Sequence, residues 1–173
     1  GIIEFLYDRV NTLFTNNIVY SLIGARVCYS RKSLDELLKE DYFNNKTKAK
    51  EFLKKLTNYK HYSVFGHSYT YISTTQKNIQ NILATKFKVI YNPKYSNIIG
   101  ISLRHFLEDA KTDDIRNMLI DSIDINFDVL NDITQKENVY LLHYNNKYDG
   151  YAVFYIENAS RAATHQIVRH TIL

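Results

Sequence analysis

The spacing of apolar and polar residues along the chain predicts several amphipathic helices. Apolar residues recur every three or four positions over residues 17–29 and over the lysine-rich stretch 47–56, a spacing typical of helices with one buried face. Ser33 stands where it would cap a short helix over residues 34–40. Further helices are predicted over residues 76–84, 102–109 and 112–130.

Short apolar and aromatic runs predict strands between these helices. The runs are Ser68–Ile72, Phe87–Tyr91, Val139–Tyr144 and Tyr151–Ile156. The second run is followed by Asn92-Pro93, which is typical of a turn. Asp149-Gly150 is typical of a tight hairpin turn, so we expect the last two strands to pair antiparallel.

The end of the chain joins an apolar strand to an unusual set of polar residues. Residues 160–173 are predicted to form a helix that would place Arg161, His165 and Arg169 on one side. Gln166 and His170 would form the adjacent row. Arginine is scarce, with seven residues against fifteen lysines, so two arginines close together indicate bidentate binding of a carboxylate or phosphate. The alternative is that these cations only complement the helix macrodipole, and the spacing alone favours that alternative.

The composition is that of an ordinary globular protein. With 173 residues, 45% of them hydrophobic, the chain has the size of one domain with a substantial core. The net charge of +4 suits an anionic ligand, but the basic residues are spread along the chain and do not favour nucleic-acid binding. No apolar run reaches the roughly 20 residues of a membrane span, and the N-terminus lacks a signal-peptide pattern. We expect no membrane association and a cytoplasmic location.

The single cysteine, Cys28, excludes an internal disulfide. It lies in an apolar helix and is predicted to be a small buried hydrophobic residue rather than a nucleophile. His61 and His67 are six positions apart, and His165 and His170 are five apart. Neither interval fits a common helical spacing of metal ligands, so no metal site is expected.

Three segments resemble parts of a known family. Ser160–His170 (Ser-Arg-Ala-Ala-Thr-His-Gln-Ile-Val-Arg-His) resembles the segment that leads into the Arg-His-Arg signature of the flavin-dependent thymidylate synthases, the ThyX family. His61–His67 resembles the family's His-x-Ser-x-x-Glu-His segment. Ala25–Tyr29 is similar to a helix near the family's N-terminus, and the three segments follow the family's order.

The resemblance implies an α+β, ThyX-like fold with a mostly antiparallel sheet flanked by long helices. It implies an enzyme that uses methylenetetrahydrofolate to methylate dUMP to dTMP, with FAD as cofactor and NADPH as reductant. Because such a cofactor carries the difficult chemistry, no protein nucleophile is required and no catalytic residue is assigned. The family's sites lie between subunits, so a homotetramer is also implied.

Matched by motif, one set of residues would hold FAD and a second, overlapping set would contact dUMP. The FAD set is Ser63, Arg169, His170 and Thr171, and the dUMP set is Gln166, Ile167, Val168 and Arg169. Arginine and histidine supply charge-assisted donors for phosphates, and a primary amide both donates to and accepts from a uracil edge. From the residues alone, Gln166 is equally well explained as a solvated helical glutamine, and Ser63 as the N-cap of a short helix.

The sequence departs from the family pattern at several places. Thr171 stands where the signature has its second arginine, and Gly66 replaces the glutamate before the second histidine of the upstream segment. The chain ends at Leu173, before the signature's later Ser and Arg residues, and the interval 76–150 is interpreted as an insertion or a diverged half-repeat. We therefore expect a single ThyX-like domain that is the N-terminal part of a longer chain. The alternative is a catalytically inactive ThyX-like domain that binds nucleotide or flavin or acts as a scaffold.

Overall fold

The fold mixes helices with antiparallel sheets, which confirms the α+β class in general terms. The computed structural model describes residues 18–28, 30–145, 151–157 and 166–171, and at positions 145, 151 and 166–171 it describes the backbone alone. The helices are α1 (Ile18–Cys28), α2 (Leu34–Leu37), α3 (Lys46–Asn58), α4 (Gln76–Leu83), α5 (Leu103–Asp109) and α6 (Asp113–Ser122). The strands are β1 (Tyr69–Ser73), β2 (Val89–Ile90), β3 (Ile98–Ser102), β4 (Thr134–Lys136), β5 (Val139–Asn145), β6 (Tyr151–Ile156) and β7 (Gln166–Thr171). Short 3-10 turns occupy Asp41–Phe43, Ser63–His67, Pro93–Tyr95 and Phe127–Asp132.

Side-chain caps explain where several helices begin. The Glu36 N–H donates a hydrogen bond of 3.3 Å to the Ser33 hydroxyl, which confirms Ser33 as the cap of α2. Asn45, Thr75 and Thr112 cap α3, α4 and α6 in the same way. A capping oxygen satisfies one of the free N–H groups in the first turn, so the local sequence decides where these helices begin.

Helix α3 has the predicted amphipathic character. Ala49 and Leu53 on its inner face are fully buried. Its lysines reach the end of α6, where Lys50 Nζ donates to the Asp121 carbonyl and Lys54 Nζ donates to the Asp121 carboxylate, both at 2.8 Å. Cations at a helix C-terminus satisfy free carbonyl groups and interact favourably with the macrodipole. Part of the chain's basic charge is therefore used within the fold.

The first sheet has three antiparallel strands in the order β1-β3-β2. The predicted strand Ser68–Ile72 is confirmed as β1, and the predicted strand Phe87–Tyr91 is confirmed in the shorter form of β2. The central strand β3 was not predicted, because Gly100 interrupts its isoleucine run and glycine is unfavourable within a strand.

The second sheet has four antiparallel strands in the order β4-β5-β6-β7. The predicted pairing of Val139–Tyr144 with Tyr151–Ile156 is confirmed, with Val139 opposite Ile156 at one end and Tyr144 opposite Ala152 near the other. The proposed turn residues Asp149-Gly150 lie outside the described residues.

The prediction of a helix over residues 160–173 is wrong for residues 166–171, which form β7. This strand pairs antiparallel with β6, so that Arg169 lies opposite Val153 and His170 lies opposite Ala152. The prediction that Gln166 and His170 lie in one row on a helix is therefore wrong as well, because it depended on a helical backbone. Residues 158–165 lie outside the described part of the chain.

The physical reason for this error is local sequence combined with an available partner strand. Ile167 and Val168 are β-branched, and such residues lose side-chain freedom in a helix but fit a pleated strand. Strand β6 pairs with β5 on one side, which leaves its other edge free for a further strand. Backbone pairing along six residues outweighs the helical spacing of the basic side chains.

The helix predicted over 112–130 ends earlier than expected. Helix α6 stops at Ser122, and Ile123 takes an extended conformation. Ile123 and Ile125 are both buried, while Asp124 between them is exposed. Burial at every second residue is typical of an extended segment. The spacing of the buried residues therefore changes from helical to extended after Ser122.

Helix α1 lies at the centre of the core. Ile18, Val19 and Leu22 have exposed fractions of 0%, and the helix packs against the turn Ser63–His67. The ring of Tyr20 lies 5.1 Å from the ring of His143 on β5. Helix α1 therefore links the turn that leads into the first sheet to the second sheet.

The prediction that Cys28 is buried is wrong. Cys28 is the last residue of α1 and its side chain is exposed, although Val27 before it is buried. Throughout the part of the chain that the structure describes, no helix combines the length and the apolar content needed to cross a bilayer.

Candidate functional site

The turn Ser63–His67 is the best-defined part of the site that the sequence predicts. It follows α3 directly, and the His61 N–H donates a 2.9 Å hydrogen bond to the Leu56 carbonyl at the end of that helix. Phe65 is fully buried and anchors the inner side of the turn. The next residue after the turn, Ser68, is buried as well and forms a side-chain hydrogen bond to Ser21 of α1.

The outer side of this turn presents Ser63 to solvent. Ser63 is the first residue of the 3-10 turn, and the cap position is occupied by Tyr62, which makes no side-chain capping bond. Ser63 is therefore not an N-cap, and the structural alternative for this residue is wrong. Its exposed hydroxyl forms no hydrogen bond to other described residues, so it is available to a ligand.

Arg104 lies beside this turn. It stands at the start of α5, and a methyl group placed on Gly66 would lie 4.0 Å from Arg104 Cδ. The Arg104 Nε donates to Glu108 Oε1 at 2.6 Å within the helix. Both partners of this pair are exposed, and exposed ion pairs contribute little stability. The Arg104 guanidinium can therefore exchange Glu108 for a stronger anionic partner.

A second arginine flanks the turn but is already engaged. The Arg116 guanidinium lies 5.5 Å from the centre of the Tyr62 ring. Arg116 Nε donates to the Leu107 carbonyl at 2.7 Å, and another of its nitrogens donates to Asp113 at 2.9 Å. These bonds hold the connection between α5 and α6. Arg116 adds positive charge near the turn, whereas most of its donors serve the fold.

His105, next to Arg104, is half-buried against Phe87, with ring centres 5.4 Å apart. Its pKa is lowered, first by burial and then by the neighbouring positive charge of Arg104, although Glu108 opposes the change. A lowered pKa keeps the imidazole neutral at pH 7. The fixed positive charge on this side of the turn therefore comes from arginine.

The sequence reasoning assigned Arg104 and Arg116 no role in the site. Both belong to the interval 76–150, which was interpreted as an insertion or a diverged half-repeat and was given no function. Arginine is scarce in this chain. That scarcity drew attention to Arg169, and it could have drawn attention to Arg104 and Arg116 as well. Their proximity to Ser63 depends on tertiary packing, which a single sequence does not reveal.

The other predicted site residues, Gln166, Ile167, Val168, Arg169, His170 and Thr171, lie together on β7. This strand forms one edge of the second sheet, and Thr171 is opposite Tyr151 in its register. The six residues are consecutive on one strand, of which the structure describes the backbone. Among the described residues, this strand does not pack extensively against the Ser63 turn of the same chain.

The third matched segment has a structural use. Arg26 of α1 forms a bidentate pair with Glu40, at 2.9 Å and 3.2 Å, and its guanidinium lies 4.7 Å from the centre of the Tyr42 ring. Lys32 also donates to Glu40 at 3.0 Å. The hydrogen bond from Arg26 is the main cause of a lowered Glu40 pKa. This cluster fixes the segment after α1 and gives Arg26 a structural role.

Metal binding finds no support in the described residues. Among them, no group of three or more His, Cys, Asp or Glu side chains is arranged to hold a metal ion.

A family-model scan, a search of curated proteins and a search of solved structures found no match to this chain.

Proposed function

We propose that this chain is a flavin-dependent thymidylate synthase of the ThyX type, which methylates dUMP to dTMP with methylenetetrahydrofolate as carbon donor. FAD reduced by NADPH supplies the redox chemistry of such an enzyme. The proposal is supported by the ordered matches at His61–His67 and Ser160–His170. The observation that carries it is the Ser63 turn, which is anchored by buried Phe65 and offers an exposed hydroxyl beside Arg104.

In this proposal, the chain's own residues bind and orient the cofactor and the nucleotide. Ser63, Arg169, His170 and Thr171 hold FAD, and Gln166, Ile167, Val168 and Arg169 contact dUMP. A flavin pyrophosphate and a nucleotide phosphate both need charge-assisted donors, which arginine supplies as a planar fork. Hydroxyl groups at positions 63 and 171 add neutral hydrogen bonds.

Arg104 extends the proposed FAD site. The family's second signature arginine is replaced by Thr171, which removes one guanidinium from the phosphate-binding set. Arg104 brings a guanidinium to the same turn that carries Ser63. Its exposed pair with Glu108 makes the exchange of anionic partners inexpensive in free energy. We therefore include Arg104 among the residues that bind the cofactor's phosphates.

The assembly and location belong to the same proposal. Since Ser63 and β7 do not pack extensively against each other among the described residues of one chain, a site built from more than one subunit suits them, and a homotetramer would provide it. A cytoplasmic location fits an enzyme of nucleotide synthesis that uses NADPH.

A second candidate function is a ThyX-like domain that binds flavin or nucleotide without turnover. Gly66 favours this alternative. A Cβ atom at position 66 would meet only ordinary contact with Arg104 Cδ, so the fold does not require glycine there for space, and the family's carboxylate is nevertheless absent. Thr171 is a second loss of a polar group that the family uses.

One assay separates the two functions. Purified protein is mixed with dUMP tritiated at C5, methylenetetrahydrofolate, FAD and NADPH, and tritium released to water is counted. The enzyme releases tritium in a reaction that requires NADPH, whereas the binding domain binds FAD and releases none. Absence of both FAD binding and tritium release would refute both functions.

A further inference from the structure

A separate cavity of about 250 Å³ lies between α1, the turn Phe127–Asp132 and β5. Three aromatic rings line it, from Tyr20, His143 and Tyr144. Asp132, which is acidic, and Leu142, which is apolar, also line the cavity. None of these residues belongs to the proposed flavin and nucleotide sites.

A β-bulge in strand β5 builds one wall of this cavity. Leu141 lies opposite Phe154 and His143 lies opposite Val153, so Leu142 is an extra residue between two paired positions. A bulge changes the direction of neighbouring side chains. Four consecutive residues from 141 to 144 line the same cavity, whereas successive side chains of a regular strand point to opposite faces.

The aromatic residues that line the cavity differ in their exposure to solvent. Tyr20 is 2% exposed, and its ring lies 5.1 Å from the ring of His143 at an angle of 40°. Tyr144 is 50% exposed and stands at the entrance. The faces of aromatic rings carry partial negative charge and attract cations within about 6 Å.

The charge of this cavity is negative, in contrast to the net positive charge of the chain. Asp132 contributes an exposed carboxylate, and none of the described residues that line the cavity is a lysine or arginine. Burial lowers the pKa of His143 to about 4, so its imidazole is neutral at pH 7. Burial, followed by the charge of Asp132, raises the pKa of Tyr20, so its phenol is also neutral. The described lining therefore carries no positive charge that would repel a cationic ligand.

We propose that this cavity binds a small organic ammonium cation, with the alkyl groups against the three aromatic rings and the charge near Asp132. Aromatic rings beside a carboxylate suit a cation that is too weakly hydrated to demand full coordination by oxygen. A phosphate or carboxylate ligand would face repulsion from Asp132. A metal ion would lack ligands, since the described residues contain no cluster of three metal-binding side chains.

The test uses choline and its neutral isostere 3,3-dimethylbutan-1-ol, which has the same shape without the charge. Each compound is titrated into the whole protein while backbone amide shifts are followed by NMR. We expect saturable shifts with choline at a Kd on the order of 1 mM, and binding of the neutral alcohol that is weaker by about tenfold or more. No saturable response to choline, or equal affinity for both compounds, overturns the proposal.

Matched variants locate the site. Asp132→Asn is expected to weaken choline binding by about tenfold, whereas Asp128→Asn, on the same turn but outside the cavity, leaves it unchanged. Both aspartates are exposed, so both variants are expected to fold. Tyr144→Leu keeps an apolar side chain at the mouth, removes the ring and weakens binding of choline more than binding of the alcohol. Equal choline affinity in Asp132→Asn and Asp128→Asn contradicts the site.

Discussion

The ring of Tyr71 on β1 covers Gly100 on the neighbouring strand β3, its direct partner in the register. A Cβ atom on Gly100 would lie 2.7 Å from Tyr71 Cε1 and 3.0 Å from Cδ1, closer than carbon atoms approach in packed cores. Tyr71 is fully buried, so a shift of its ring would disturb the packing of the core. Position 100 therefore requires glycine, because the Tyr71 ring occupies the space that a side chain would need.

Gly100→Ala is therefore expected to destabilise the protein by about 1–3 kcal/mol, the usual cost of forcing extra volume into a core. The measurement is the free energy of unfolding from urea titration followed by circular dichroism.

The matched control is Gly66→Ala. There the added methyl group would meet Arg104 at 4.0 Å, an ordinary contact. Loss of backbone freedom in the unfolded chain should make this variant neutral or more stable by about 0.4–1 kcal/mol. Equal effects of the two substitutions would refute the role of the Tyr71 ring.

Replacement of Arg104 tests its place in the proposed FAD site. Arg104→Gln is expected to weaken FAD binding by about tenfold, because hydrogen bonds to charged groups contribute about 1.5–3 kcal/mol. Stability should change by less than about 1 kcal/mol, since the pair with Glu108 is exposed. The readouts are quenching of FAD fluorescence and urea unfolding. Arg31→Gln, another exposed arginine, is the control, and equal FAD affinity in both variants excludes Arg104 from the site.

The pair between Arg26 and Glu40 predicts a loss of stability at acid pH. The hydrogen bond from Arg26 lowers the Glu40 pKa below its usual value of 4.5. A carboxyl group with a lowered folded pKa stabilises the protein above its unfolded pKa, and that contribution is lost as pH falls through the folded pKa. Glu40→Gln should cost about 1–3 kcal/mol at pH 7 and less at acid pH, with the difference shrinking as pH falls below the unfolded pKa, measured by urea unfolding at a series of pH values. Glu51→Gln, at an exposed residue, should have little effect at either pH.

His143 predicts a second pH effect in a different range. Burial lowers its folded pKa to about 4 from an ordinary value of 6.5. Because the unfolded chain takes up this proton first, stability falls as pH drops from about 6.5 to about 4, by up to about 1.4 kcal/mol per pH unit. The check is an NMR titration of the histidine ring signals. An imidazole at position 143 that is half-protonated near pH 6.5 would contradict the prediction.

The local sequence was enough to predict elements that depend on neighbouring residues. The cap at Ser33, helix α3 and the hairpin between β5 and β6 all follow from short patterns and are confirmed. Strand β3 was missed because the reason for Gly100 lies on another strand. The segment 166–171 was predicted as a helix because its basic residues have helical spacing, whereas its β-branched residues and the open edge of β6 favour a strand.

In the candidate site, too, a residue within a local motif could be predicted from the sequence, whereas a residue brought in by tertiary packing could not. The motif match predicted Ser63, and the structure shows it exposed on a turn that is anchored from below by Phe65. Arg104 comes from a segment forty residues further along the chain and reaches the turn only through the packing of α5. A pattern within one segment contains no information on such a contact.

Titration of the purified protein with FAD, followed by flavin fluorescence, tests the central claim most directly. We expect saturable binding that Ser63→Ala weakens about three- to tenfold, the effect of one lost hydrogen bond. Ser96→Ala, at another exposed serine, should bind as the unchanged protein does. A protein that binds no FAD, or that binds it equally well in both serine variants, would contradict the account.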